Sequence, residues 1–135
     1  MKIAPVPITM ARSSKRPERT MSGKSPYIFD ATSDDFQQKV IEASHQQPVM
    51  VDFWADWCGP CLALSPVLDR VIPEYEGRVL LAKVDADENM KLCGHYKLRG
   101  FPTVLLFING EEVERFSSAR PATFVREFID RHLPA

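Results

Sequence analysis

No stretch of this sequence approaches the ~20 consecutive apolar residues that a membrane-spanning helix needs. No apolar run of about 7–15 residues follows the first basic residue, so a secretory signal peptide is not expected. A dominant charge is missing as well: 17 Lys and Arg stand against 18 Asp and Glu, a net charge of −1. Bulk charge therefore selects no partner, nucleic acid included. Cysteine is scarce, with three residues in 135. An odd count without a leader argues against a disulfide-stapled secreted scaffold and for a reducing compartment, the cytoplasm. The length suits one domain with its own core.

The near-zero charge hides an asymmetry. Residues 1–26 carry six Lys and Arg against Glu18 alone, and the acids are concentrated in the remainder. Pro5, Pro7, Pro17 and Pro26 punctuate this basic arm, which has little to bury, so it is expected to be disordered. The domain proper is expected over 27–135. An Arg/Ser-rich, acid-poor arm also fits an organelle transit peptide, although no amphipathic face is visible. An extension from an early start codon is the duller reading, since Met10 and Met21 lie within it. No aromatic residue is there to stack a nucleic-acid base.

From residue 27 onward, apolar runs alternate with helical patterns. Thr32 and Asp35 form a capping box ahead of Phe36, Val40 and Ala43, and Pro48 closes that helix. Val49–Ala55 is nearly continuous in apolar residues, as a strand covered on both faces requires. Residues 61–76 read as a helix with Leu64, Val67, Leu68, Val71 and Ile72 on its inner face and a kink at Pro66. A second buried strand spans 79–84, and a weak helix interrupted by Gly94 follows over 85–96. Asn109-Gly110 between apolar runs signals a hairpin. A final helix over 121–132 carries Phe124, Val125, Phe128, Ile129 and Leu133 on one stripe. The order predicts an α/β domain, a mixed sheet with helices on both faces.

The chemistry centres on Cys58-Gly59-Pro60-Cys61. Cys58 follows a strand and stands at a helix start, where free N–H groups and the helix dipole favour a thiolate, lowering its pKa below the free value of about 8.5. Cys61, one turn later, is placed to attack a mixed disulfide formed by Cys58, which is dithiol–disulfide exchange. Gly59 allows the turn, and Pro60 suits a first helical position. Two other readings compete: a permanent disulfide, disfavoured in a reducing compartment, and zinc held by Cys58, Cys61, Cys93 and His95, for which Cys93-x-His95 is a poor second pair. Neither metal nor cofactor is expected, and Cys93 reads as a small buried hydrophobe.

Asp52 falls inside the strand buried on both faces, where burial raises a carboxyl's proton affinity and suits it to exchange a proton with a thiol. A hydrogen-bonded structural Asp is the alternative. Lys83 interrupts the second strand in the same manner, either pairing with Asp52 or marking a solvated strand end. Trp54 reads as core, whereas Trp57 shapes the surface a client meets. Phe101-Pro102-Thr103 precedes the third long strand; a proline there does not extend the ladder, and a cis bond would expose backbone to an extended peptide.

Trp57-Cys58-Gly59-Pro60-Cys61, with Val51-Asp52-Phe53-Trp54-Ala55 before it and Arg99-Gly100-Phe101-Pro102-Thr103 after it, resembles the thioredoxin family. The match covers about Tyr27 to Pro134. It implies a thioredoxin fold, Cys58 as nucleophile and Cys61 as resolving thiol. It further implies Asp52 assisting Cys61, Lys83 near it, and a cis peptide before Pro102. Trp57, Gly59, Pro60, Phe101, Pro102 and Thr103 would then contact the substrate. The implied function is reduction of protein disulfides in cell redox homeostasis, by a monomer supplied with electrons by thioredoxin reductase. Ser117-Ser118-Ala119 departs from the family, where a glycine is usual on the client surface. Tyr27–Thr32 and Glu127–Pro134 are similar to the thioredoxin domain of CnoX/YbbN-type co-chaperones, so a redox-linked holdase is the alternative function. Those proteins continue into tetratricopeptide-like helices, whereas this sequence stops at Ala135.

Overall fold

Period-two alternation in three central strands decides which residues face which layer. In β2 (Val49–Trp54), Val49, Val51 and Phe53 pack into one core layer and Met50 into the other. β3 (Leu80–Asp85) divides Ala82 and Val84 from Leu81, and β4 (Thr103–Ile108) divides Leu105 and Phe107 from Val104 and Leu106. Both faces are covered, which is why these strands read as nearly continuous apolar runs. The structure, a computed structural model, describes residues 25–134. The arm expected over 1–26 lies outside them, apart from Ser25 and Pro26.

With β1 (Ile28–Asp30) and β5 (Glu111–Ser117), the five strands run in the order β1-β3-β2-β4-β5. The pairs β1–β3 and β3–β2 are parallel, while β2–β4 and β4–β5 are antiparallel. This is the expected mixed sheet. α1 (Gly59–Val71) and α3 (Ala122–Asp130) cover one face through Leu64, Leu68, Val71, Val125, Phe128 and Ile129. A helical segment at Gln37–Glu42 and α2 (Met90–His95) cover the other through Val40 and Cys93, with Phe36 just ahead of the first. Asn109 and Gly110 turn the hairpin with φ of 53° and 83°, as a type I′ turn requires.

Several boundaries differ from expectation, each for a local reason. The Thr32–Asp35 box forms, with the Thr32 N–H donating to the Asp35 carboxylate at 2.7 Å. The segment it opens is a π-helix over Gln37–Glu42 tightening to a 3₁₀ turn at Ala43–His45, where an α-helix was expected. A tertiary contact holds that turn: the Ser44 carbonyl and hydroxyl accept the N–H groups of Asn109 and Gly110 from the hairpin. α1 starts at Gly59, two residues early, and runs unbroken across Pro66 to Val71. The chain then tightens into a 3₁₀ turn, Ile72–Tyr75, because Pro73 has no N–H for the α ladder. α2 continues through Gly94 to His95, so that glycine does not interrupt it.

Candidate active site

Cys58 is the N-cap of α1, with extended backbone (φ −97°, ψ 105°), and its Sγ accepts the N–H of Cys61 at 3.1 Å. One of the helix's unpaired N–H groups is thereby aimed at the Cys58 sulfur, the arrangement that favours a thiolate. Pro60 falls where a proline's missing N–H costs nothing. Gly59 keeps an ordinary backbone, so no turn demands glycine, and a Cβ added there would meet no atom within 4 Å. Cys58 and Cys61 form a disulfide with their Cα atoms 5.3 Å apart, and both are nearly buried. The two sulfurs are bonded in this structure, and the strand-to-helix turn places both at the start of α1.

The two cysteines differ in what lies behind them. Cys61 lines a cavity of about 230 Å³ together with Asp52 and Lys83, and Cys58 does not. Asp52 is 2 % exposed, and its Oδ1 is the one buried side-chain polar atom without a hydrogen-bond partner among the described residues. Burial pushes its carboxyl up to about 7, against the opposing pull of the Lys83 ammonium. A group with that proton affinity exchanges protons near neutral pH. Trp54, expected in the core, is half-buried and lines the same cavity.

Lys83 sits opposite Asp52 in the β3–β2 register but does not pair with it, contrary to one of the two expectations. Its ammonium binds Asp69 Oδ1 at 2.9 Å and Ser65 Oγ at 3.1 Å, both on α1. The second expectation, a solvated strand end, also fails, because Lys83 is in mid-strand with 15 % of its side chain exposed.

The rim around the disulfide comes from Trp57, Gly59, Pro60 and Phe101. Trp57 is 67 % exposed, donates its indole N–H to Asp87 at 3.0 Å, and meets the Phe101 ring edge-on at 6.0 Å. The Phe101–Pro102 peptide is cis. Pro102 and Thr103 have buried side chains. The Pro102 carbonyl accepts the Ser118 N–H at 3.1 Å, and Thr103 donates to the Gly100 carbonyl at 2.7 Å. Contact with a client at these two positions would therefore involve backbone atoms. Ser118 has φ 76°, a left-handed conformation suited to glycine, at the site of the Ser-Ser-Ala departure.

Sequence reasoning overlooked Ser65, Asp69 and Asp87, because short polar residues on a helix or loop read as solvated surface. It also overlooked Leu62, which is 62 % exposed beside Cys61. The signal for Leu62 was available, since it is apolar yet off the stripe of Leu64, Val67 and Leu68. Cys93 is buried in the core layer opposite α1, as expected, and burial raises its thiol. His95 is exposed and stacks edge-on against Tyr96. Among the described residues, no group of three or more His, Cys, Asp or Glu is placed to hold a metal ion. Dithiol exchange needs no cofactor beyond the two cysteines.

Known proteins are similar to this chain in sequence. The thioredoxin family model matches residues 27–131. A thioredoxin of Chlorobaculum thiosulfatiphilum is 38 % identical over 105 residues, which is 78 % of this chain and 95 % of the relative. Thioredoxin 2 of Chlorobaculum tepidum is 37 % identical over 113 residues, covering 84 % of this chain and 99 % of that one. A chloroplastic M-type thioredoxin of Spinacia oleracea is 38 % identical over 106 residues, 78 % of this chain and 58 % of its own. Sequence likeness across the whole domain and a disulfide at the N-terminus of α1 lead to one conclusion: the chain belongs to the thioredoxin family and is a thiol–disulfide oxidoreductase whose redox-active disulfide is Cys58–Cys61.

Proposed function

We propose that this protein reduces disulfides in client proteins, as a cytoplasmic monomer of one domain spanning 27–135, and that a thioredoxin reductase restores its dithiol. The Cys58 thiolate attacks a client disulfide, forming a mixed disulfide and releasing one client thiol. Asp52 takes the proton of Cys61, and the Cys61 thiolate attacks the Cys58 sulfur. The second client thiol leaves, two electrons have moved to the client, and Cys58–Cys61 is oxidised. Lys83 moderates the charge on Asp52. Trp57, Gly59, Pro60 and Phe101 form the docking rim, with backbone contributions from Pro102 and Thr103.

The observation that carries this reading is the unpartnered Asp52 carboxyl lining the cavity on the Cys61 side of the disulfide. The test is reduction of insulin by the protein with dithiothreitol as electron source. Wild type should be active and Cys58→Ser inactive, while Cys61→Ser should accumulate a mixed disulfide with the client. An inactive wild type refutes the reading, and a Cys61→Ser protein that traps nothing removes Cys61 from the resolving role.

The exposed Trp57 and Leu62 beside the disulfide favour a second reading, a redox-linked co-chaperone that binds unfolded clients. Suppression of client aggregation at full strength by the Cys58→Ser/Cys61→Ser protein would support it.

A further inference from the structure

The Asp30–Lys83–Asp52 row crosses β1, β3 and β2 in register, with Lys83 paired to Asp30 on one side and to Asp52 on the other. The row faces α1, which brings a third carboxylate, Asp69, and the Cys61 sulfur to the same place. One ammonium therefore stands among three carboxylates. It binds Asp69 and Ser65, and it leaves the buried Asp52 oxygen without a partner. Asp30 is exposed at the sheet edge, where its backbone carbonyl accepts the Lys39 ammonium.

That choice has a chemical consequence. A direct Lys83–Asp52 ion pair would hold the carboxyl ionised well below neutral pH, and it would then keep no proton taken from Cys61. With the ammonium tethered to the helix, its attraction reaches Asp52 only across the cavity, and Asp69 offsets part of it. We propose that Ser65 and Asp69 are positioning residues for the exchange reaction: they anchor the Lys83 ammonium on α1 and so keep the Asp52 carboxyl free to accept the Cys61 proton. The proposal rests on Asp52 being that acceptor. Neither Ser65 nor Asp69 touches a cysteine in the exchange; Ser65 acts through Lys83, and Asp69 acts both through Lys83 and by its own charge on Asp52.

The test is the Asp52 carboxyl titration, followed by carbon NMR in the oxidised protein, where Cys58 and Cys61 do not titrate. Asp69→Asn should lower the Asp52 midpoint by about one pH unit, because it removes a repulsive charge and releases Lys83. Ser65→Ala, which changes no charge, should lower it by a smaller amount, and Ser65→Thr should restore it. In a Lys83→Met background the effect of Asp69→Asn should shrink, since no ammonium remains to be released. An Asp69→Asn shift of equal size with and without Lys83 overturns the proposal, as does an unmoved midpoint in Ser65→Ala.

The acceptor reading is checked separately, by the pH dependence of mixed-disulfide resolution. If the midpoint of that rate follows the Asp52 titration in each variant, both readings stand. If Asp52 titrates as described while the rate profile stays fixed, the tether exists, but Asp52 is not the acceptor and the catalytic part of the proposal falls.

Discussion

Replacing Asp52 by Asn removes an ionisable oxygen from a position that is 2 % exposed and carries no hydrogen bond at Oδ1. In the unfolded chain the carboxyl ionises near its ordinary value of 3.8, whereas burial holds it protonated in the fold up to about 7. The folded state therefore binds more protons between those limits, and the linkage has the reverse of the sign usual for a carboxylate. Wild-type stability should fall as pH rises from about 4 to 7, by about 1.4 kcal/mol per pH unit from this group, and level off above. Over the whole window the loss is on the order of 4 kcal/mol, out of a total stability of roughly 5–15 kcal/mol for a domain. Asparagine has no such dependence. The measurement is urea unfolding of both oxidised proteins at intervals from pH 4 to 9. The buried amide brings its own unsatisfied donors, so the pH dependence of the difference is the readout and its absolute offset is not. A difference that stays constant across the range would refute the reasoning, because it would mean that ionising Asp52 costs the fold nothing.

Three further outcomes are expected. Leu68→Ala, at a fully buried position between α1 and the sheet, should cost about 2–5 kcal/mol in urea unfolding, and a loss under 1 kcal/mol would contradict the packing described for α1. Ser118→Gly should stabilise the protein by about 1 kcal/mol by relieving a left-handed backbone, without slowing insulin reduction; destabilisation would show that the serine side chain holds the turn. Glu114, on β5, accepts from Arg131 and binds His132 after α3, and these partners lower its carboxyl. The folded-state value being depressed, this stabilisation is present above the unfolded value of 4.5 and disappears as pH falls through the folded one, so Glu114→Gln should cost under about 1 kcal/mol at pH 7 and progressively less as pH falls below 4.5, by thermal unfolding.

Local features carried much of this protein's description before any coordinates. Apolar runs at 49–55 and 79–84, each broken by one charged residue, require a sheet covered on both faces, and Asn109-Gly110 requires a hairpin, because both effects act within a few residues. The cysteine pair is equally local, since two residues between the thiols place both in the first turn of one helix. Helix boundaries were less legible. Pro66 lies inside an unbroken helical segment, while Pro73, unremarked, is where the α ladder ends. A proline's effect depends on whether packing compensates the missing hydrogen bond, and packing is not written in the neighbouring letters.

Asp52 shows where the division falls. Its place in an apolar strand pointed to a buried carboxyl suited to exchange a proton with a thiol, with a structural Asp as the alternative. The sequence did not decide what Lys83 would do, because Asp30, Asp52 and Asp69 come from three elements separated by many residues. Parallel registry of β1, β3 and β2 puts Lys83 between two of these carboxylates, and the packing of α1 across the sheet supplies the third. The sequence by itself determined the fold class, the redox pair and the buried acid, since each follows from short-range pattern. Only the tertiary structure decided which carboxylate takes the ammonium and which is left without a partner, because electrostatic pairing depends on distances that only the assembled sheet and helix define.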